Sequence, residues 1–457
     1  MPHLIMPLLA AAASVLGTAT ASADLGEQLF KLLPDDGAAD DFFGSSVAIS
    51  GATAIVGANG DDDNGNESGS VYLFDTTTGE QIAKLLPDDG AAEDFFGTFV
   101  AICGPPGKEI AIVGAVWDQD NGTQSGSAYL FDTTTGRQIA KLLPKDGAAG
   151  DHFGFSVGIS GTTAIVGASQ DNDNGTASGS AYLFDTTTGR QIAKLLPDDG
   201  AVGEQFGVSV AISGATAIVG ANGDDDNGGN SGSAYLFDAT TGRQIAKLLA
   251  NDGAGGDFFG GSVAISGVTT IVGAGGDDHN GSAYLFDISD PAKPTQIAKL
   301  LANDGAGGDS FGASVAISGD TAIVGAWVDD DNGLYSGSAY LFDTTTGRQI
   351  AKLLPNDGAA FDIFGHSVAI SGATAIVGAV WDNDNGTQSG SAYVFDAAGP
   401  SPCPWDLDDD AVVGASDLLA LLVSWGPCKG CSADFDVNGS VGASDLLALL
   451  VNWGPCP

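Results

Sequence analysis

The chain has 457 residues, 43% of them hydrophobic, with 58 Asp and Glu against 15 Lys and Arg and a net charge of -43. That apolar content can fill large cores. The charge argues against nucleic acid or an anionic membrane as a partner and favours multivalent cations, basic partners or a salty medium. Beyond the N-terminal segment no run of 18 or more apolar residues occurs, so no membrane span is expected.

Residues 1–23 lack Asp, Glu, Lys and Arg, carry an apolar stretch from Leu4 to Leu16 and end in Ala21-Ser22-Ala23. This pattern reads as a secretory signal peptide cleaved before Asp24, and it places the mature protein outside the cell, secreted or associated with the cell surface.

From residue 24 to 397 one unit recurs. Phe-Gly pairs begin at Phe43, Phe96, Phe153, Phe206, Phe259, Phe311 and Phe364, spaced by 53, 57, 53, 53, 52 and 53 residues. In the fourth copy the runs Ser209–Ser213, Thr216–Ala221, Gly232–Asp238 and Arg243–Leu249 are short, rich in β-formers and bounded by Gly, Asn, Asp and Thr. Each is a strand and none is long enough for a helix. Four antiparallel strands repeated seven times predict an all-β, seven-bladed propeller. Glu27–Leu33 copies the fourth strand, whereas the seventh copy stops after its third, Gly390–Asp396. The N-terminal strand is therefore expected to complete the seventh blade and close the ring. Cys103 stands where the other six copies have Ser, and reads as a buried, inert thiol.

Acid concentrates in two loops of each copy. One lies between the second and third strands, with Asp61 and Asp63, Asp118 and Asp120, Asp171 and Asp173, Asp224 and Asp226, Asp329 and Asp331, and Asp382 and Asp384, each pair preceding Asn-Gly. The fifth copy has a shortened Asp277-Asp278-His279-Asn280-Gly281. The other is the link between copies, as in Pro34-Asp35-Asp36-Gly37. Alternating strand direction puts both at one end, so one face is expected to be strongly acidic and the other built of short turns. Two readings of the Asp-x-Asp-Asn-Gly loop stand: a cation site made of clustered oxygens, or an Asn-Gly turn flanked by solvated acids. Trp117, Trp327 and Trp381 beside this loop either stack on a ligand or pack between blades. The fourth-strand lysines (Lys31, Lys84, Lys141 and equivalents) read as charges that discourage edge pairing.

After a linker at 398–402, residues 403–457 hold two copies of a different unit. Asp406, Asp408, Asp410, Val412 and Asp417 fall at positions 1, 3, 5, 7 and 12 of a 12-residue loop, as do Asp434, Asp436, Asn438, Ser440 and Asp445. That is the ligand spacing of an EF-hand-type Ca²⁺ loop, with position 7 giving its carbonyl. Gly439 supplies the permissive sixth position of the second loop, where the first has Ala411. Leu418–Trp425 and Leu446–Trp453 then read as short helices. Cys403 to Cys428 and Cys431 to Cys456 are both 25 apart. They read as two disulfides, with crosswise pairing or zinc at Cys428-x-x-Cys431 as alternatives.

Phe-Gly, Ser-Val-Ala-Ile-Ser-Gly and Ile-Val-Gly-Ala in series resemble the FG-GAP repeat, the blade unit of integrin α-subunit propellers and many bacterial surface proteins. The Pro of that family's Gly-Ala-Pro is absent, and the hairpin that carries Ca²⁺ in integrin-type blades is a short turn here (Gly51-Ala52), so those sites do not carry over. The tail resembles the type I dockerin, in which loop positions 10 and 11 help to choose the partner. Here these are Ala415-Ser416 and Ala443-Ser444, an identical pair that suggests two equivalent faces. The resemblance implies a cohesin-like or other surface or scaffold partner, and the acidic face a protein or glycan ligand. Residues that break the repeat (Pro105–Glu109, His152, Glu204, His279, His366, Asp290–Pro294) fall in different blades and form no recognisable triad. A secreted, non-catalytic binding propeller with a calcium-dependent anchor is therefore expected, the alternative being a carbohydrate-active enzyme tethered by the tail.

Overall fold

Second and third strands in this chain, such as Thr53–Ala58 (TAIVGA) and Ser70–Asp75 (SVYLFD), are buried along almost their whole length. A strand reads as a continuous apolar run when both its faces are covered, and here a neighbouring blade lies on each side. The structure, a computed structural model, describes residues 25–398 and, towards the C-terminus, 405, 407, 412–427, 433, 435, 440–451 and 453–455. In the first blade the order is Phe43–Ser50, Thr53–Ala58, Ser70–Asp75, Gln81–Leu85, each strand antiparallel to the next. Five more blades repeat it.

The seventh blade is composite. Gln28–Leu32 pairs antiparallel with Ser391–Asp396, and Lys31 opposite Tyr393 reproduces the register of Lys84 opposite Tyr72. First strands line the axis, each against the next, and Phe364–Ser371 of the seventh blade lies against Phe43–Ser50 of the first. The ring is closed.

The Phe-Gly pair is the seam. Phe43 is fully buried and meets Tyr72 and Phe74 of its own blade edge-on, at 5.6 and 5.8 Å between centroids. These lie in one apolar layer with Ile376, Ala392 and Val394 of the seventh blade, so the core is shared between blades. Gly44 has φ +89°, and a Cβ there would stand 2.3 Å from the carbonyl oxygen of Ser391 in the preceding blade. Only glycine permits that approach.

Cys103 is free and half-buried at the end of Phe96–Cys103, packed on the layer between second and third blades, where the sequence reading had it buried. In the tail, Ala415–Val423 and Ala443–Val451 are identical nine-residue helices. Val412–Val413 pairs with Gly454–Pro455, and Gly426–Pro427 with Ser440–Val441, so each copy is bracketed by the other. Val413, Leu421, Ala433, Val441 and Leu449 form a small core. No helix among the described residues is long and apolar enough to cross a membrane. The signal segment, most of the linker, and Cys403, Cys428, Cys431 and Cys456 lie outside the described residues.

Candidate functional site

Both acidic loops do emerge at one end. The link before each blade is zipped to the loop of the blade before it: the N–H groups of Asp40, Phe42 and Phe43 donate to the carbonyls of Thr387, Gln388 and Ser389. The opposite end carries the other two hairpins, joined by the Thr76 N–H donating to the Ala52 carbonyl.

The acids of the first face do not stand free. Lys84 Nζ lies 2.8 Å from Asp36, 2.9 Å from Asp61 and 2.7 Å from Asp63, and 5.0 Å from the centroid of the Tyr72 ring. Asp61 also accepts from the Asp63 N–H, the Ser70 hydroxyl and the Tyr72 hydroxyl. The same group recurs with Lys31, Lys141, Lys194, Lys247, Lys299 and Lys352. Burial opposes the charge of each lysine, but the three carboxylates outweigh it and hold the ammonium well above its ordinary range. Burial likewise opposes ionisation of Asp118, Asp171 and Asp224, and their lysines overcome it, keeping these carboxyls below the usual range.

The lysines do stand on the outermost strand, as read from the sequence, and Lys84 in addition is largely buried and caps an intrablade cluster. The cation that Asp61 and Asp63, Asp118 and Asp120, Asp171 and Asp173, Asp224 and Asp226, Asp329 and Asp331, and Asp382 and Asp384 meet in the structure is this side-chain ammonium. The sequence signal was available, since every copy pairs its Lys with a third-strand Tyr and a first loop Asp. It needed the strand register to be seen.

A second set of carboxylates is buried with no lysine ion pair among the described residues. Asp41, Asp94 and Asp362, two residues before their Phe-Gly pairs, are nearly buried and accept only an alanine N–H among the bonds described for their side chains. Burial pushes each up to about 6. Asp257 and Asp309 occupy the same place, and burial raises them too.

The seven copies also compare themselves. The residue before each Phe-Gly pair is Phe42, Phe95, His152, Gln205, Phe258, Ser310 or Ile363, and all seven have φ between 53° and 57°. A non-glycine residue there costs about 1 kcal/mol or more. The strained backbone recurs in every blade while its side chain changes. The pair after Gly-Ala varies as well: Asn59-Gly60, Val116-Trp117, Ser169-Gln170, Asn222-Gly223, Gly275-Gly276, Trp327-Val328, Val380-Trp381. Both of these variable positions lie on the acidic face. Trp117 packs edge-on against Phe95 of its own blade at 4.5 Å while remaining 37% exposed, which differs from packing between blades. Trp327 helps to line a hollow of about 380 Å³ between the fifth and sixth blades, with Phe258, Gly275, Gly276, Ser310 and Ala313.

Among residues that break the repeat, Glu109 and Lys108 border a hollow on the opposite face, whereas His152, Glu204 and His279 belong to loops of the acidic face in three different blades. Among the described residues no three His, Cys, Asp or Glu side chains form a group suited to a metal ion.

In the tail, Asp417 is fully buried and its carboxylate accepts the N–H groups of Leu407 and Gly414 at 2.5 and 2.6 Å. Asp445 accepts those of Phe435 and Gly442, both at 2.8 Å. Position 12 of each loop therefore reaches back to positions 2 and 9. Val412 and Ser440 sit in the short strands between. Ala415, Ser416, Ala443 and Ser444 open the two helices. Asp406, Asp408, Asp410, Asp434, Asp436 and Asn438 lie outside the described residues.

Antiparallel meander blades, first strands inward and a composite closing blade define a seven-bladed β-propeller. The chain belongs to the FG-GAP repeat family, which matches at residues 27–74, 80–131, 137–184, 190–237, 243–286, 294–342 and 348–395, one match per copy and most of the chain together. A search of curated proteins returned no significant match. An FG-GAP propeller is a fold of the binding and adhesion type.

Proposed function

We propose that this is a secreted, non-catalytic binding protein. Its propeller holds a protein or glycan ligand on the acidic face, and its tail attaches it to a surface or scaffold partner, cohesin-like in kind, in a calcium-dependent way. One observation carries the reading: the blades are near copies, and the two positions that differ in almost every copy, before the Phe-Gly pair and after Gly-Ala, lie together on the acidic face. A reaction centre needs unlike groups converging on one spot, whereas a recognition face needs diversity spread over a rigid frame.

The residues of the tail fit a hard cation. All donors are oxygens at EF-hand spacing, and the buried Asp417 and Asp445 accept the N–H groups of the second and ninth positions of their loops. The ion would be held by Asp406, Asp408, Asp410, the Val412 carbonyl and Asp417, and by Asp434, Asp436, Asn438, the Ser440 carbonyl and Asp445. Bound there, it would stiffen the loops that present Ala415-Ser416 and Ala443-Ser444.

The test is attachment of the full chain to cell-surface and extracellular fractions, with Ca²⁺ and with chelator, alongside a glycan-turnover assay. Attachment should require Ca²⁺ and be lost in Asp417→Ala/Asp445→Ala. Glycan turnover abolished by changing a single propeller acid would overturn the reading in favour of an enzyme.

A further inference from the structure

The junction between the fifth and sixth blades differs from the other six in its backbone. Six residues that precede a Phe-Gly pair, Phe42, Phe95, His152, Gln205, Phe258 and Ile363, donate their N–H to a loop carbonyl of the preceding blade, at 3.1 to 3.3 Å. The loop of the fifth blade is shorter: seven residues separate Ala274 from Ser282, where eleven separate Ala221 from Ser233. Ser310, the seventh such residue, loses that carbonyl, and neither its N–H nor its hydroxyl donates to a partner among the described residues.

Ser310 borders the hollow of about 380 Å³, a size within the roughly 300–1,000 Å³ range of ligand pockets. Trp327 and the 43% exposed Phe258 are its aromatic walls, and the rest of the lining is Gly261, Gly275, Gly276, Gly312 and Ala313. No charged side chain is among them. A Cβ on Gly275 would meet only Ala313, at 3.7 Å or more, so this glycine keeps the hollow open.

That lining selects its occupant by exclusion. A charged group would give up its hydration with no counter-charge in the walls, and an anion would also be repelled by the acidic face. A wholly apolar group would bury the N–H and hydroxyl of Ser310 without partners. An uncharged molecule with an apolar face for the aromatic rings and hydroxyl oxygens for Ser310 meets both demands. A pyranose ring has both, since its C–H bonds make one face apolar.

We propose that this hollow takes one uncharged pyranose ring of a glycan, its C–H face against Trp327 and its hydroxyls on Ser310. The proposal rests on the reading of the propeller as a binding module, and it assigns a glycan, not a protein, to this junction.

The experiment titrates the full-length protein, by calorimetry and tryptophan fluorescence, with the methyl glycosides of glucose, galactose, mannose and N-acetylglucosamine. Glucuronate and glucosamine serve as charged counterparts. At least one neutral glycoside should bind, and the charged counterparts should bind about tenfold more weakly or worse. Gly275→Val and Trp327→Val each import the residue that the second and seventh blades carry at that position, so both should keep the melting temperature of the parent. Each should weaken the bound glycoside by about tenfold or more, and Ser310→Ala by about threefold or more. Asn222→Val, the same change in the fourth blade, should leave affinity unchanged. Failure of all four neutral glycosides to bind, preference for a charged counterpart, or affinity unaltered by both Gly275→Val and Trp327→Val would overturn the proposal and leave the binding function standing. Release of free sugar from a glycoside during the titration would overturn the non-catalytic reading, and the proposal with it.

Discussion

Lys84→Met probes the ion cluster of one blade. Methionine keeps an apolar stem over Tyr72 and removes the charge. Asp61, whose side chain is 6% exposed, then loses its cation. Breaking a buried pair by removing one partner costs about 3–5 kcal/mol. Asp36 and Asp63 are about half exposed, and each adds no more than about 1 kcal/mol. Part of this is returned because no ammonium need be desolvated, so the net loss is set at about 4 kcal/mol. At about 2.1 cal/mol/K per residue over a ring of about 370 residues, unfolding entropy is near 0.8 kcal/mol/K, and the melting temperature should fall by about 5 °C. Differential scanning calorimetry of the full chain reads this directly. Lys84→Met/Asp61→Asn should recover at least half of the loss, because the stranded charge is gone. Added Ca²⁺ should raise the melting transition of the propeller in Lys84→Met and leave the parent's propeller transition where it is, since Asp36, Asp61 and Asp63 then face a gap a divalent ion can fill. A Lys84→Met protein melting within about 1 °C of the parent would refute the reasoning.

The buried Asp41, Asp94 and Asp362, pushed up to about 6 from the ordinary 3.8, make ionisation unfavourable in the folded ring. That penalty is full above about pH 6 and vanishes below about 4, so thermal melts should show stability rising from about pH 7 to about pH 5. Asp118, Asp171 and Asp224 act in the opposite sense: their contribution is present above 3.8 and is lost as pH falls through their lowered values, so stability should decline again in stronger acid. Asp41→Asn should flatten the first slope, and a melt profile indifferent to that change would contradict the assignment. Gly44→Ala forces a Cβ to within 2.3 Å of the Ser391 carbonyl oxygen at φ +89°, and should cost about 3 kcal/mol or more by denaturant titration. Deleting residues 25–33 leaves the edge of Ser391–Asp396 unpaired, and size-exclusion chromatography should show association of the truncated chain. A monodisperse monomer would argue against the closing strand.

Much of the fold was legible because the repeat prints its own strand boundaries, and the surplus strand at Gln28–Leu32 told how the ring closes. The cluster around Lys84 was not legible, because its partners stand 48, 23 and 21 residues away, at Asp36, Asp61 and Asp63, and meet only when strand register places Lys84 opposite Tyr72. The left-handed residue before each Phe-Gly pair was hidden for a different reason. Phe42, Phe258 and Ile363 have no preference for that conformation, which the hydrogen bonds of the seam impose. The hollow beside Trp327 depended on which blade faces which, and a glycine pair in one copy gained meaning only against the tryptophan of the next.

The propeller neutralises its loop carboxylates with its own lysines, and calcium is proposed to be held by the tail. Isothermal titration of the full chain with Ca²⁺, compared with Asp417→Ala/Asp445→Ala, tests it most directly. Two tight sites are expected in the parent and none in the double variant. Tight Ca²⁺ binding that survives in the double variant would contradict it and return the propeller loops to the metal.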